Sequence, residues 1–223
     1  GPTLELQPVS IFNLRFTAEY VGFFSTFGFL QSFSSPLAEY SDGVMKAAQD
    51  AKTNYATNGL HVLIEPMLQL KVGPVALRNK LSLEYWYVDV RGTDTVFYDV
   101  TLDTLVPRNG WVLANDLDLL YVHPDPRYRF VLGGRYSVVK PLYSEGDNEH
   151  QRLGPFFAYT FFDKGFARFT KPTLIVIVNW YVDHRYRTGA AASAIVPSVF
   201  AQSGAIPYVV LGFAFQSDLL KSR

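Results

Sequence analysis

The sequence predicts an all-β chain folded as a closed antiparallel up-and-down transmembrane β-barrel of about 8–10 strands, with a short helix in a long loop. Three observations predict it. Apolar and polar residues alternate with period two over many segments. Ionisable residues of both signs fall on the face opposite the apolar one. No apolar run approaches the ~18–20 residues of a membrane-crossing helix, so a bilayer would be crossed by strands.

The clearest segment is Pro172 to Arg187. Leu174, Val176, Val178, Trp180 and Val182 alternate with Thr173, Ile175, Ile177, Asn179, Tyr181, Asp183 and Arg185. The first set is apolar and the second turns polar. Taken in order, Ile11–Phe23 places Phe12, Leu14, Phe16, Ala18 and Tyr20 opposite Asn13, Arg15, Thr17 and Glu19. The stretch before Ile11, or the region of Ala201, is where an even strand number would find its missing member. Residues 27–59 break the strand rhythm. Ser35-Pro36 has N-cap chemistry and helix formers follow, which predicts a loop insertion carrying a short helix.

A hairpin follows. Its arms are His61–Val72 and Ala76–Val90, turned at Gly73-Pro74, with Pro66 arguing against a central position for the first arm. Val96–Leu105 reads as a further spanning strand, and Asn109-Gly110 as a hairpin turn. Trp111–Val122, Arg127–Val139, Pro155–Phe162 and Pro207–Gln216 complete the set, and Thr188–Gly204 reads as a loop. The whole of 1–223 reads as a single domain.

The alternation assigns a charged inner face, the lumen of the expected barrel, to Arg15, Glu19, Glu65, Lys71, Arg78, Lys80, Glu84, Asp99, Asp103, Asp116, Asp118, Arg129 and Arg135. Charges there can be hydrated or cross-paired, whereas an apolar core would penalise them. Tyr20, Tyr121, Trp180 and Tyr186 are expected at the membrane interfaces. Aromatics make up 16% of the chain, with 14 Tyr and 18 Phe, an excess that interfacial girdles would absorb. Lys plus Arg and Asp plus Glu number 20 each, so no electrostatic case exists for nucleic acid.

The chain has no cysteine, which removes thiolate metal sites, disulfides and thiol catalysis. His61, His123 and His150 lack ligand spacing, and no nucleophile elbow or phosphate loop is present. In the cluster Asp183-His184-Arg185-Tyr186-Arg187, alternation sends Asp183 and His184 to opposite faces, which makes His184 an interface anchor rather than a catalytic base. The expectation is a non-enzyme with no cofactor and no metal. Gly1-Pro2 resembles a protease-cleavage scar.

Tyr159–Asp163, Lys171–Leu174, His184–Gly189 and Tyr208–Phe215 resemble stretches of bacterial outer-membrane β-barrel proteins, similar to uncharacterised barrels of myxobacteria and their relatives. The resemblance implies a bacterial outer-membrane location and, as a context, a motility-type envelope complex. It carries no assigned activity. Residues 216–223 depart from it, since such chains commonly end on the aromatic of the last strand. The expected function is an envelope scaffold or docking protein, in contact with outer-membrane lipid and with envelope proteins through 27–59 and 188–204. The alternatives are a narrow channel for small solutes and a soluble lipid- or ligand-binding barrel.

Overall fold

In the computed structural model, residues 1–24, 29–123, 125, 128–161, 169–188 and 207–217 are described. Nine strands form one antiparallel meander: β1 (Thr3–Val9), β2 (Phe12–Phe23), β4 (Thr57–Val72), β5 (Val75–Val88), β8 (Asn109–Val122), β9 (Tyr128–Leu142), β10 (His150–Phe161), β11 (Phe169–Asp183) and β12 (Tyr208–Ser217). A separate small sheet holds β3 (Ser32–Phe33), β6 (Val96–Asp99) and β7 (Thr104–Pro107), and one helix, α1, covers Asp42–Asp50. The stretch before Ile11 does supply a strand, β1. The Ala201 region lies outside the described residues.

The expected closed barrel is not what forms. Among the described residues β1 pairs with β2 alone and β12 with β11 alone, and every residue of β1 is exposed. With nine strands joined antiparallel throughout, β1 and β12 run in the same direction, so closing the sheet on itself would require a parallel pairing of different hydrogen-bond geometry. The sheet is open.

Val96–Leu105 is also corrected. It makes the β6–β7 hairpin, Val96 opposite Pro107 and Asp99 opposite Thr104, rather than a spanning strand. Asn109-Gly110, expected as a turn, opens β8 opposite Tyr87 and Trp86. Gly73 does turn the β4–β5 hairpin, at φ 59°, in the left-handed region that favours glycine. Pro66 sits inside β4 opposite Leu14, and the pairing with β5 is interrupted at Glu65 and Pro66, where proline has no N–H to give. The helix begins later than Ser35 suggested. The Ser35 hydroxyl accepts from the Leu37 N–H in a local turn, and α1 starts after Ser41.

Beyond β2, residues 29–55 and the β6–β7 hairpin fold over one end of the large sheet as a cap. Leu30, Phe97, Leu102 and Val106 of the cap pack on Trp86, Val88, Val112 and Val139 of β5, β8 and β9. Tyr40, Val96 and Leu105 form the cap's own small core. The sheet curls toward this side. The Arg78 guanidinium on β5 lies 6.0 Å from the ring of Phe156 on β10, with β8 and β9 between them in the sheet. A Cβ on Gly133 or Gly154 would collide with the backbone carbonyl of Leu119 or Val178 on the neighbouring strand, so glycine permits the close backbone approach there.

Candidate functional site: the charged inner face and the Asp103 junction

The two faces of the large sheet have opposite character. On the outer face Leu119 is 60% exposed and Leu211 73%, whereas on the inner face Asp118 is 0% and Glu65 4% exposed. Apolar side chains outside and charged ones inside invert the usual arrangement of a water-soluble sheet.

The inner charges join into a belt of alternating sign across five strands. Arg15 of β2 pairs with Glu65 of β4. Lys80 of β5 stands 3.3 Å from Glu65 and 3.9 Å from Asp116 of β8. Arg135 of β9 lies 3.8 Å from Asp116 and donates to Asp118 at 2.6 and 3.0 Å, and Arg78 donates to the same Asp118 at 2.7 Å. Ser82 and Ser137 hydroxyls donate to Glu65 at 3.4 Å and to Asp116 at 2.7 Å. Nearer the cap, His61 bridges Glu19 at 3.4 Å and Glu84 at 3.1 Å and stacks on Trp86 at 3.9 Å. Each pairing joins residues the register sets directly or diagonally opposite, as Arg15 with Glu65, Arg78 with Asp118, and Asp118 with Arg135. Lys71 and Arg129 share this face but lie exposed near the far end.

Asp99 and Asp103 leave the set assigned to the inner face, because β6 and β7 belong to the cap. Asp99 accepts from the Thr101 and Leu102 N–H groups at 2.9 and 2.8 Å, closing the β6–β7 turn. Asp103 is a junction. Arg187 donates to its two carboxylate oxygens at 2.6 and 2.7 Å, Tyr98 donates at 2.6 Å, and the Tyr181 hydroxyl also donates to it. Its φ of 53° lies in the left-handed region, which Asp tolerates better than most residues. Arg187 extends the link to Asp42 at the start of α1 at 3.1 Å. One carboxylate thus ties the cap hairpin, the end of β11 and the helix together.

His184 is 2% exposed, so it is no interface anchor. The period-two rule fails there for two reasons: the β10–β11 register shifts between Gln151 and Arg152, and β11 ends at Asp183. The chain then turns inward, bringing the His184 Nε2 within 3.3 Å of the Asp103 carbonyl. Burial holds the His184 imidazole below its ordinary value against the pull of Asp103, which keeps it neutral. Tyr186 packs edge-on against Tyr40 at 4.7 Å, inside the cap rather than at an interface. Tyr20, Tyr121 and Trp180 do lie on the outer face. They fall into two rows, with Tyr20, Tyr87, Trp111 and Trp180 at the cap end and Tyr121, Phe130, Tyr159 and Phe161 at the other. Among the described residues no group of three His, Asp or Glu is placed to hold a metal ion.

Burial raises the Asp103 carboxyl, but the bond and charge of Arg187 outweigh it and hold the pKa at about 2. Because the folded value lies below the unfolded one, the stabilisation is complete above about pH 4 and is lost as pH falls through 2, an effect of roughly 2 kcal/mol. Near-UV circular dichroism of the cap tyrosines is expected to decay between about pH 4 and 2. In Asp103→Asn that acid step should vanish and the cap signal should be weaker at neutral pH. An unchanged acid profile in the variant would show that the junction does not hold the cap.

Sequence reasoning marked the 183–187 cluster as polar and dense but assigned it no partner, since Asp103 lies 84 residues from Arg187. It also passed over Arg152 and Asn179, whose alternation resembled any other inner position. No family model, curated protein or solved structure matches the chain.

Proposed function

We propose that this chain is a non-enzymatic scaffold of a bacterial outer membrane, its outer face against lipid and its cap and the edge of β1 serving as docking elements for other envelope proteins. The observation that carries the reading is the continuous exposed apolar face. Nine strands about 4.8 Å apart give a surface roughly 40 Å wide, on the order of 1,000 Å² and well above the few hundred Å² that water-soluble monomers expose.

Two details support lipid as the neighbour of that face. Trp111 and Tyr121 stand ten residues apart on β8, roughly 34 Å along the strand. At a tilt near ~45° this matches the hydrocarbon core. In the middle of the same face the two amides of Asn79 and Asn115 satisfy each other, at 3.0 and 3.3 Å, and Asn115 also donates to the Lys80 carbonyl. Water would serve those groups without such pairing, whereas hydrocarbon requires it.

Lipid also demands that the outer edge of β1, which among the described residues pairs with β2 alone, find hydrogen-bond partners. This favours a docking role, in which strands of other proteins running antiparallel to an edge are taken up by strand addition. Liposome flotation tests the reading: the protein should rise with the vesicles and resist extraction by carbonate. Monodisperse behaviour in detergent-free buffer together with failure to float would overturn it. In a planar bilayer, steady conductance that changes with Arg135→Gln would replace the scaffold with a channel.

A further inference from the structure

Beside the Asp103 junction, the inner face of β10 and β11 carries four buried polar atoms with no hydrogen-bond partner: both ring nitrogens of His150, Nε of Arg152 and Oδ1 of Asn179. Buried polar atoms are nearly always satisfied, so a cluster of orphans calls for an explanation. The three residues share one face of the β10–β11 pair. His150 and Arg152 are two apart on β10, Arg152 is opposite Tyr181, and Asn179 precedes Tyr181 by two on the same face of β11. The His150 ring lies 5.7 Å from that of Tyr181, and His150 and Asn179 are 1% and 4% exposed.

The charge balance of the patch is uneven. Asp103 is already matched by Arg187. The Arg152 guanidinium lies 5.0 Å from the Tyr208 ring and 5.8 Å from that of Tyr181, and no carboxylate among the described residues pairs with it. A cation flanked by aromatic rings and lacking a counter-charge attracts an anion. The orphans also specify more than charge. Arg152 Nε–H and one nitrogen of a neutral His150 donate, while the other His150 nitrogen and Asn179 Oδ1 accept.

We propose that this patch binds a small oxyanion that still carries a hydroxyl hydrogen, the class of hydrogen phosphate and of phosphate monoesters in their singly ionised form. The anionic oxygens take the Arg152 and His150 donors, and the hydroxyl gives its proton to Asn179 or to the second His150 nitrogen. The inference is independent of the membrane reading. Sulfate has the same size and shape but no proton at neutral pH, so it leaves an acceptor unpaired and should bind at least about tenfold more weakly.

The test is calorimetric titration of the full chain in detergent micelles with inorganic phosphate, with sulfate as comparison and the ¹⁵N shifts of the His150 ring as a local readout. Saturable phosphate binding that moves the His150 signals, and that is lost in Arg152→Gln and in Asn179→Leu with near-UV dichroism unchanged, is expected. If Arg152→Gln fails to fold, Asn179→Leu alone decides, since it removes the acceptor and leaves the charge. Micelles doped with phosphatidate distinguish the source: binding there without binding of free phosphate makes the ligand a lipid headgroup and supports the site. Equal affinity for sulfate, binding that survives both substitutions, or no saturable binding of either phosphate form would overturn it.

Discussion

Replacing Asp118 by alanine is expected to destabilise the folded chain by about 3–5 kcal/mol, the largest loss from a single side chain in the inner belt. Asp118 is 0% exposed and is shared by two guanidiniums, Arg78 and Arg135, through three donated hydrogen bonds. Removing it leaves two cations facing one another with one compensating carboxylate, Asp116, 3.8 Å from Arg135. Most of the loss is the energy of stranded charge rather than the net worth of the pairs. The triple change Asp118→Leu, Arg78→Met and Arg135→Met should therefore recover most of it, because an apolar trio of similar volume leaves no charge uncompensated. Denaturant titration in micelles measures both variants. A loss below about 1 kcal/mol for Asp118→Ala would mean that the belt behaves as an exposed surface network.

The adjacent residue points the other way and gives the second large effect. Leu117 sits on the outer face between the aromatic rows and is 37% exposed. In water, Leu117→Arg would fall within about 0.5 kcal/mol of neutral. Against hydrocarbon near the midplane, an arginine on a strand costs about 2–4 kcal/mol. Unfolding equilibria in phospholipid vesicles are expected to show the larger figure, and the same change at the exposed Val72, at the end of β4, should show much less. Equal and small effects at the two positions would exclude a lipid neighbour for this face.

Much of the large sheet was legible in the residue order. Alternation such as Leu117-Asp118-Leu119 marks a strand and assigns its faces without reference to anything distant, because successive side chains point to opposite sides. The charges of β2, β4, β5, β8 and β9 were accordingly placed on one face, and the register then paired them. The strands most clearly read were those with a long, uninterrupted pattern.

The errors arose where a short stretch of the same pattern served another purpose. Val96–Leu105 alternates as well as a spanning strand does, yet Asp99 closes a tight turn within it and the two halves pair with each other. Asp103 and Asp99 were therefore assigned to the wrong sheet. His184 was misplaced because alternation holds only while the strand is regular, and the register shift and the end of β11 intervene.

By itself the sequence determined the long strands of the large sheet from β2 onward, their two unlike faces and the absence of thiol chemistry, since these depend on residues near one another in the chain. The tertiary structure alone decided that the sheet stays open, that residues 29–55 and 96–107 form a cap, and that Asp103 meets Arg187. Those outcomes depend on the direction of strands at opposite edges and on contacts across scores of residues. A period-two pattern repeats identically whether its strand ends beside a neighbour, at an edge or beneath a cap, and so carries no record of which.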